Sequence, residues 1–435
     1  MVDPKLLRDH PEVIREALKK RGIDPEKLQL GLDAPHTNPT TFEALVQGER
    51  NRRAKIVDFD NVRRQLKEQS ESFGREKAAG KRTAPPTELK ELSDQAARLE
   101  QQVKTEEAEF SKLVSWLPNI PHESVPVGDA TKNGIGQPIG EQPTFSFTPK
   151  THMELAEQLG LIDFARAAKI TGSHFPLFTG QGARLERALI NWMLDVHTKE
   201  HGYTEVSPPF LVNRSSMFGT GQLPKFKEDM YHLKDDDLFL VPTAEVPVTN
   251  LHRDEILEEG RLPLRYTAYT PCFRREAGSY GKETKGLIRV HQFDKVELVK
   301  FTTPETSYGE LDQLVKNAET ILQRLGLHYR VVCLSTGELG FAAAKCYDLE
   351  AWAPGLNQFL EVSSCSNFEA FQSRRANIRY RQASTKKVAH VHTLNGSGVA
   401  LARTLICLLE TYQQADGRVG VPEPLRPYLD GQTHL

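Results

Sequence analysis

The feature that most restricts this chain is a hydrophobic seam in steps of three and four. Leu89, Leu92, Ala96, Leu99, Val103, Phe110, Leu113 and Leu117 keep that rhythm, and only Glu106 breaks it. A seam held over about four heptads specifies a helix that buries one narrow stripe against another helix. The stretch from Phe42 to about Ala79 carries a weaker version. Phe42, Leu45, Ile56, Phe59, Leu66 and Phe73 lie on it, while Glu49, Arg52, Arg63 and Ser70 interrupt it. Between the two lies Gly80-Lys81-Arg82-Thr83-Ala84-Pro85-Pro86, which cannot continue a helix. Two long helices across such a break pack antiparallel, so a rod of about 45 to 57 Å is expected over roughly residues 42–117.

The rod's first helix is rich in cations: Arg50, Arg52, Arg53, Lys55, Arg63, Arg64, Lys67, Arg75 and Lys77, with Lys81 and Arg82 in the turn. This suits either a solvated coiled-coil surface or an arm laid along an RNA backbone, and the arm alone leaves both readings open. The whole chain, 56 Lys and Arg against 58 Asp and Glu, is no polycation, so any nucleic-acid contact must be local. Charges within Met1–Arg8 speak against a secretory signal, and no apolar run of about 18 residues suggests a membrane span. Cys272, Cys333, Cys346, Cys365 and Cys407 are scattered and never paired as C-x-x-C. A disulfide framework and a four-cysteine zinc site are therefore unexpected, and a cytoplasmic setting fits.

Length favours two domains, expected at 1–118 and 119–435. Asp9 and Pro11 suit a helix start ahead of the rod, Gly22 a helix end, and 31–41 a turn-forming insert. After Thr151, helical patterns alternate with short β-rich runs, among them Glu205–Val212, Tyr266–Phe273, Val290–Phe301, Tyr347–Trp352 and Gln358–Ser364. Strands that follow one another through short links favour an α+β fold, an antiparallel sheet with helices packed on it. Neither G-x-x-x-x-G-K-[ST] nor G-x-G-x-x-G occurs, so a nucleotide would need another device.

Residues 270–298 suggest one. A strand ending in Phe273-Arg274-Arg275-Glu276 leads through a Gly-rich loop to a strand returning through His291-Gln292-Phe293. Arg274 and Glu276, two apart, would face one side. There they could hold a phosphate and an adenine amino group, or form an ordinary cross-strand salt bridge. Phe-Arg-x-Glu, a loop, then Gly-Leu-Ile-Arg-x-His-Gln-Phe resembles motif 2 of the class II aminoacyl-tRNA synthetases. Gly202–Leu211 resembles motif 1, a dimer-interface helix and strand, and Asn395–Arg403, extended to about 410, resembles motif 3. Further runs, at 220–226, 242–247, 273–281, 291–297, 361–367 and 392–398, are similar to the bacterial seryl-tRNA synthetases, a family that also carries an N-terminal coiled-coil arm. Position 275 is Arg where many members have Ser, and the 31–41 insert lengthens the approach to the arm.

That resemblance implies a serine–tRNA ligase activity: serine is activated with ATP and transferred to tRNA(Ser), with tRNA(Sec) as a further acceptor, by a homodimer. It implies that Arg274 holds the α-phosphate and the serine carboxylate, Arg403 the γ-phosphate, and that Phe293 stacks on adenine. Arg275, Glu276, Val290, Val362 and Ser363 complete the implied ATP set. Glu361 and Ser364 are implied ligands of Mg²⁺ arriving with ATP. Thr243, Ala244, Glu245 and Glu297 are implied to take the serine ammonium and hydroxyl, with Ser397 closing the pocket. Buried polar groups suit this task, because an apolar pocket barely separates serine from alanine. A carrier-protein ligase would lack the full arm. A decayed RNA-binding relative should have lost Arg274, Glu276, Glu361 or Arg403. His390, His392 and Cys365 fit no standard zinc spacing.

Overall fold

The structure is a computed structural model that describes residues 1–30, 40–277 and 285–435. Residues 31–39 of the insert and 278–284 of the Gly-rich loop lie outside the described residues. The chain divides into two compact units, Val2–Lys19 with Ile23–Pro118, and Met1, Lys20–Gly22 and Asn119–Leu435.

The first unit is built on helices α1 (Phe42–Ala78) and α2 (Thr87–Val114), packed on each other. Thr41 opens α1, its Oγ1 accepting the Ala44 N–H at 3.2 Å. Beyond Ala78, Gly80 adopts φ +71°, and Pro85-Pro86 delays the next helix to Thr87. Each residue of the second seam is buried or half-buried, including Glu106. The first seam departs from expectation: Arg63 and Ser70 are exposed, and Val62 is buried instead. From Phe59 to Leu66, steps of three and four or of four and three both fit. Burying the valine avoids stranding a guanidinium in the seam.

Nearer the root the polar interruptions are paired. Glu49, 1% exposed, accepts two hydrogen bonds from Arg52 at 2.7 and 3.0 Å. Arg52 also reaches Glu107 at 3.1 Å and lies 4.8 Å from the Phe110 ring centre. Lys55 pairs with Glu106, the residue that breaks the apolar seam.

The second unit holds one eight-stranded sheet. Its strands are β1 (Gly134–Ile135), β2 (Thr204–Glu205), β3 (Leu264–Phe273), β4 (Gln292–Thr302), β5 (Tyr329–Cys333), β6 (Lys345–Ala353), β7 (Gln358–Asn367) and β8 (His392–Ala400). They run in the order β1-β5-β6-β7-β8-β4-β3-β2, antiparallel except for the β2–β3 pair. The expected strand Glu205–Val212 is instead two short strands, Thr204–Glu205 and Leu211–Asn213. Pro208 and Pro209 between them have no N–H for a ladder. The expected strand through Glu276 stops at Phe273, and Glu276 takes φ +50°.

Helices α3 (Gln181–Lys199), α4 (Glu245–Thr249), α5 (Ser307–Arg324), α6 (Phe371–Ala376) and α7 (Leu401–Thr411) complete the framework. Helices α3, α5 and α7 pack on the sheet around Leu189, Met193, Leu314, Leu322 and Ile406. Two β-bulges shape it, one where β6 meets β7 at Leu349/Glu350 and one on β8 between Ser397 and Val399. Gly398 is the extra residue of the second. A Cβ there would sit 2.7 Å from His197 Nε2, so glycine lets α3 and the strand meet. Among the described residues no helix is long and apolar enough to cross a membrane.

Phe110 seals the root of the hairpin under Arg52. Phe110→Ala should destabilise the chain by about 3 kcal/mol, as for other buried aromatics. Urea unfolding followed by helical circular dichroism measures this; a change below about 0.5 kcal/mol would show that the root does not depend on that contact.

Candidate active site

Strand alternation brings Phe293, Lys295 and Glu297 to one face of β4, and Asn395 and Ser397 to one face of β8. Ser397 and Glu297 are directly opposite each other. On β7, Glu361 and Ser364 are three apart yet share that face. The bulge opposite Leu349/Glu350 adds the residue that corrects the phase. These side chains except Glu297, which lies buried beside them, join Thr243, Glu245, Arg274, Glu276, Val290 and Arg403 in lining one cavity of about 430 Å³.

The two arginines are held by backbone. Arg274 follows β3: its N–H donates to His291 O at 2.9 Å, and its Nε donates to Pro242 O at 3.2 Å. Its guanidinium lies 5.2 Å from the Phe293 ring centre. Arg403, in the first turn of α7, donates from Nε to Ile288 O at 3.2 Å and from Nη1 to Glu361 O at 2.9 Å. Its Nη1 is 3.3 Å from the Glu361 carboxylate. Both cations therefore face one cavity although 129 positions separate them in the chain, 403 less 274. Glu276 is paired with Arg289 at 2.9 Å.

The far end is acidic and buried. Thr243 Oγ1 donates to Glu297 Oε2 at 3.2 Å, and Asn395 Nδ2 donates to Glu297 Oε1 at 3.0 Å. Lys295 is ion-paired with Glu297. Burial, and then the charge of Glu297, push the Glu245 carboxyl up to about 7. Burial, and then Glu361, likewise push Asp348 up to about 7, next to Ser364 on the neighbouring strand.

Five residues expected at the site do not line the cavity: Glu297, buried behind Thr243 and Asn395, and four others. Arg275 is exposed between Arg274 and Glu276, its N–H donating to Asp229 O at 2.9 Å. Ala244 is buried at the head of α4, and Val362 is buried on β7. Ser363 donates to Ser397 O at 2.6 Å, bracing the wall from behind. Conversely, Lys295, Asn395, Asp348 and Arg289 escaped the sequence reading. Lys295 and Asn395 each lie two positions from a chosen residue on the same strand, a signal strand alternation carries.

The residues match two family models: the seryl-tRNA synthetase N-terminal domain over 1–121 and the class II tRNA synthetase core domain (G, H, P, S and T) over 226–412. A serine–tRNA ligase of Geobacillus kaustophilus is 54% identical over 99% of this chain and 98% of its own length. The chain belongs to the seryl-tRNA synthetase family. Another ligase of that name, from Desulforapulum autotrophicum, is 48% identical over 100% of this chain and 99% of its own. Among solved structures, seryl-tRNA synthetase from Pyrococcus horikoshii, complexed with ATP, superposes with a TM-score of 0.86 at 35% identity, covering 100% and 99% of the two chains. The cytoplasmic serine–tRNA ligase of Naegleria fowleri, in complex with AMP, gives 0.83 at 31%, covering 100% and 98%.

Among the described residues of this synthetase-family chain, no group of three or more His, Cys, Asp or Glu could hold a metal. Glu361, Ser364 and the adjoining Asp348 offer oxygen atoms suited to a hard cation whose remaining ligands come from phosphate and water.

Asp348 gives the site a pH signature. Unfolded, an aspartate ionises near its ordinary value of about 4. Folded, it stays protonated to about 7, so the penalty for burying its charge grows as pH rises through that window. Asp348→Asn should therefore stabilise the chain more at pH 8 than at pH 5, by about 2 kcal/mol in chelator-treated buffer. Denaturant unfolding at the two pH values measures it, and equal gains would contradict the burial of a charge there.

Proposed function

We propose that the cavity carries out serine activation with these roles, and that the hairpin serves the transfer step. The convergence of Arg274, Arg403, Phe293 and Glu245 on one cavity, with Glu297 buried beside Glu245, carries the reading. The chain is an ATP-dependent aminoacyl-tRNA ligase for serine by its family membership. Relatives of this fold have been solved with ATP and with AMP, which supports a nucleotide as the cavity's ligand. Adenine stacks on Phe293 within reach of Glu276, Arg274 bridges the α-phosphate and the serine carboxylate, and Arg403 anchors the γ-phosphate.

Serine carboxylate is already a nucleophile. Its oxygen attacks the α-phosphorus, the bond to the bridging oxygen breaks, and pyrophosphate leaves with the electron pair; no proton needs to move. The enzyme's work is then alignment and charge neutralisation. Mg²⁺ bound with ATP, held from the protein side by Glu361 and Ser364, supplies further neutralisation of the phosphates. Glu245, Thr243 and Glu297 receive the ammonium and hydroxyl of serine, and Ser397 closes that end. A substrate without the hydroxyl leaves buried acceptors unpaired, which is how so small a side chain is recognised.

In the second step a hydroxyl of the terminal ribose of tRNA(Ser), and also of tRNA(Sec), attacks the adenylate's carbonyl carbon; the anhydride bond breaks, AMP leaves with the electron pair, and the hydroxyl proton passes to AMP or water. Residues 1–118, with the arm at 42–117, bind the tRNA backbone; residues 119–435 catalyse, with motif 1 at 202–211, motif 2 at 270–298 and motif 3 at 395–410. The enzyme works as a homodimer in the cytoplasm.

Arg274→Ala should lower serine-dependent ATP–pyrophosphate exchange by at least about a thousandfold, in line with removal of a transition-state charge clamp. Exchange within about tenfold of the parent would remove Arg274 from the chemistry. Deleting the arm tip, residues 73–92, should leave exchange intact and cut tRNA charging by at least about a hundredfold. Equal loss of both steps would overturn the division of labour.

A further inference from the structure

Behind the acidic end of the cavity, a buried amide holds one of its carboxylates from outside. Gln372 of α6 is fully buried and is not part of the cavity lining. Its Nε2 donates to Glu245 Oε1 at 2.5 Å and to Thr220 O at 3.2 Å. Its Oε1 accepts from Thr393 Oγ1 at 2.7 Å, and Thr393 is itself fully buried on β8. This network settles the amide's orientation. Turned over, the amide oxygen would face a carboxylate and a carbonyl, both acceptors, and the Thr393 hydroxyl would lose its acceptor.

We infer that Gln372 is a positioning residue for amino-acid recognition: its uncharged amide fixes the Glu245 carboxylate at the cavity while leaving the negative charge free for the substrate's ammonium. The inference rests on the reading of Glu245 as an ammonium ligand. An arginine or lysine at 372 would neutralise Glu245 and compete with the ammonium, and a carboxylate there would repel it. An amide donates a strong hydrogen bond to an ion without cancelling its charge. The surroundings support the need for such a donor. Facing Glu245 are Glu297, whose charge opposes its ionisation, and Lys295 and Arg274, which favour it. Lys295 is already paired with Glu297, and Arg274 is tied to Pro242 O. Gln372 and Thr393 thus connect α6 and β8 to the ligand at the head of α4, and neither was legible as a site residue in the sequence.

The test is the pH dependence of kcat/KM for serine in ATP–pyrophosphate exchange by the full chain, comparing the parent with Glu245→Gln, Gln372→Met and Thr393→Val. Protonating Glu245 discharges the ammonium ligand, so the parent should lose activity as pH falls through about 7. Gln372→Met removes a donor that favours the ionised form. It should move that limb upward by about one pH unit and raise KM for serine at pH 7 about tenfold, with KM for ATP within about twofold. Thr393→Val keeps the side-chain shape but frees the amide, and should shift the limb the same way by less. The limb's midpoint is read from the profile's shape, so partial misfolding does not imitate it. If Glu245→Gln abolishes the limb and raises KM for serine while Gln372→Met superposes on the parent, the positioning role is overturned and Glu245 keeps its own. If Glu245→Gln changes neither, the reading of Glu245 falls and the inference with it.

Discussion

Glu297 of β4 sits opposite Ser397 of β8 on one side and Ala268 of β3 on the other, and the cavity depends on that register. A slip of one residue would turn Phe293, Lys295 and Glu297 toward the helices and bring Asp294 and Lys300 into the site. Both faces of the strand carry charge, and each charge is provided for. Lys300 donates to Glu310 of α5 at 2.7 Å. Asp294 lies against Glu186 of α3 and Tyr269 of β3, where burial raises both carboxyls above their ordinary values. In the wrong register these partnerships would be lost together, at a cost far above that of a surface pair. The polar residues that serve chemistry on one face are thus matched by polar residues that fix the strand on the other.

What the sequence could disclose follows from the range of each interaction. The second seam was readable because helical packing repeats every few residues, and every seam position from Leu89 to Leu117 is at least half-buried. The first seam was ambiguous at Val62 and Arg63, where two phases fit the same flanking apolar residues and only the partner helix decides. The strands on either side of the Gly-rich loop were visible as β-rich runs, but the bulge that puts Glu361 and Ser364 on one face was not. It is a property of two strands together. The residues named through family resemblance mostly line the cavity; Arg275, Ala244, Val362 and Ser363, their neighbours in sequence, do not, and Glu297 lies buried just behind the wall. Gln372 and Thr393 lie 127 and 148 positions after Glu245, and no local pattern ties them to it.

One cavity is lined by two arginines held by backbone carbonyls, an aromatic ring beside one of them and the buried Glu245 carboxylate, with Glu297 buried close by. A nucleotide joined to a hydroxy amino acid offers each a partner: phosphate for the arginines, the base for the ring and ammonium for the carboxylates. The direct measurement is a crystal structure of the full chain with a non-hydrolysable seryl-adenylate analogue. The account places the adenine on Phe293, the phosphate mimic against the Arg274 guanidinium, and the serine ammonium within hydrogen-bond distance of the Glu245 and Glu297 carboxylates. An analogue bound with its amino group away from both carboxylates, or outside the cavity shared by Arg274 and Arg403, would contradict it.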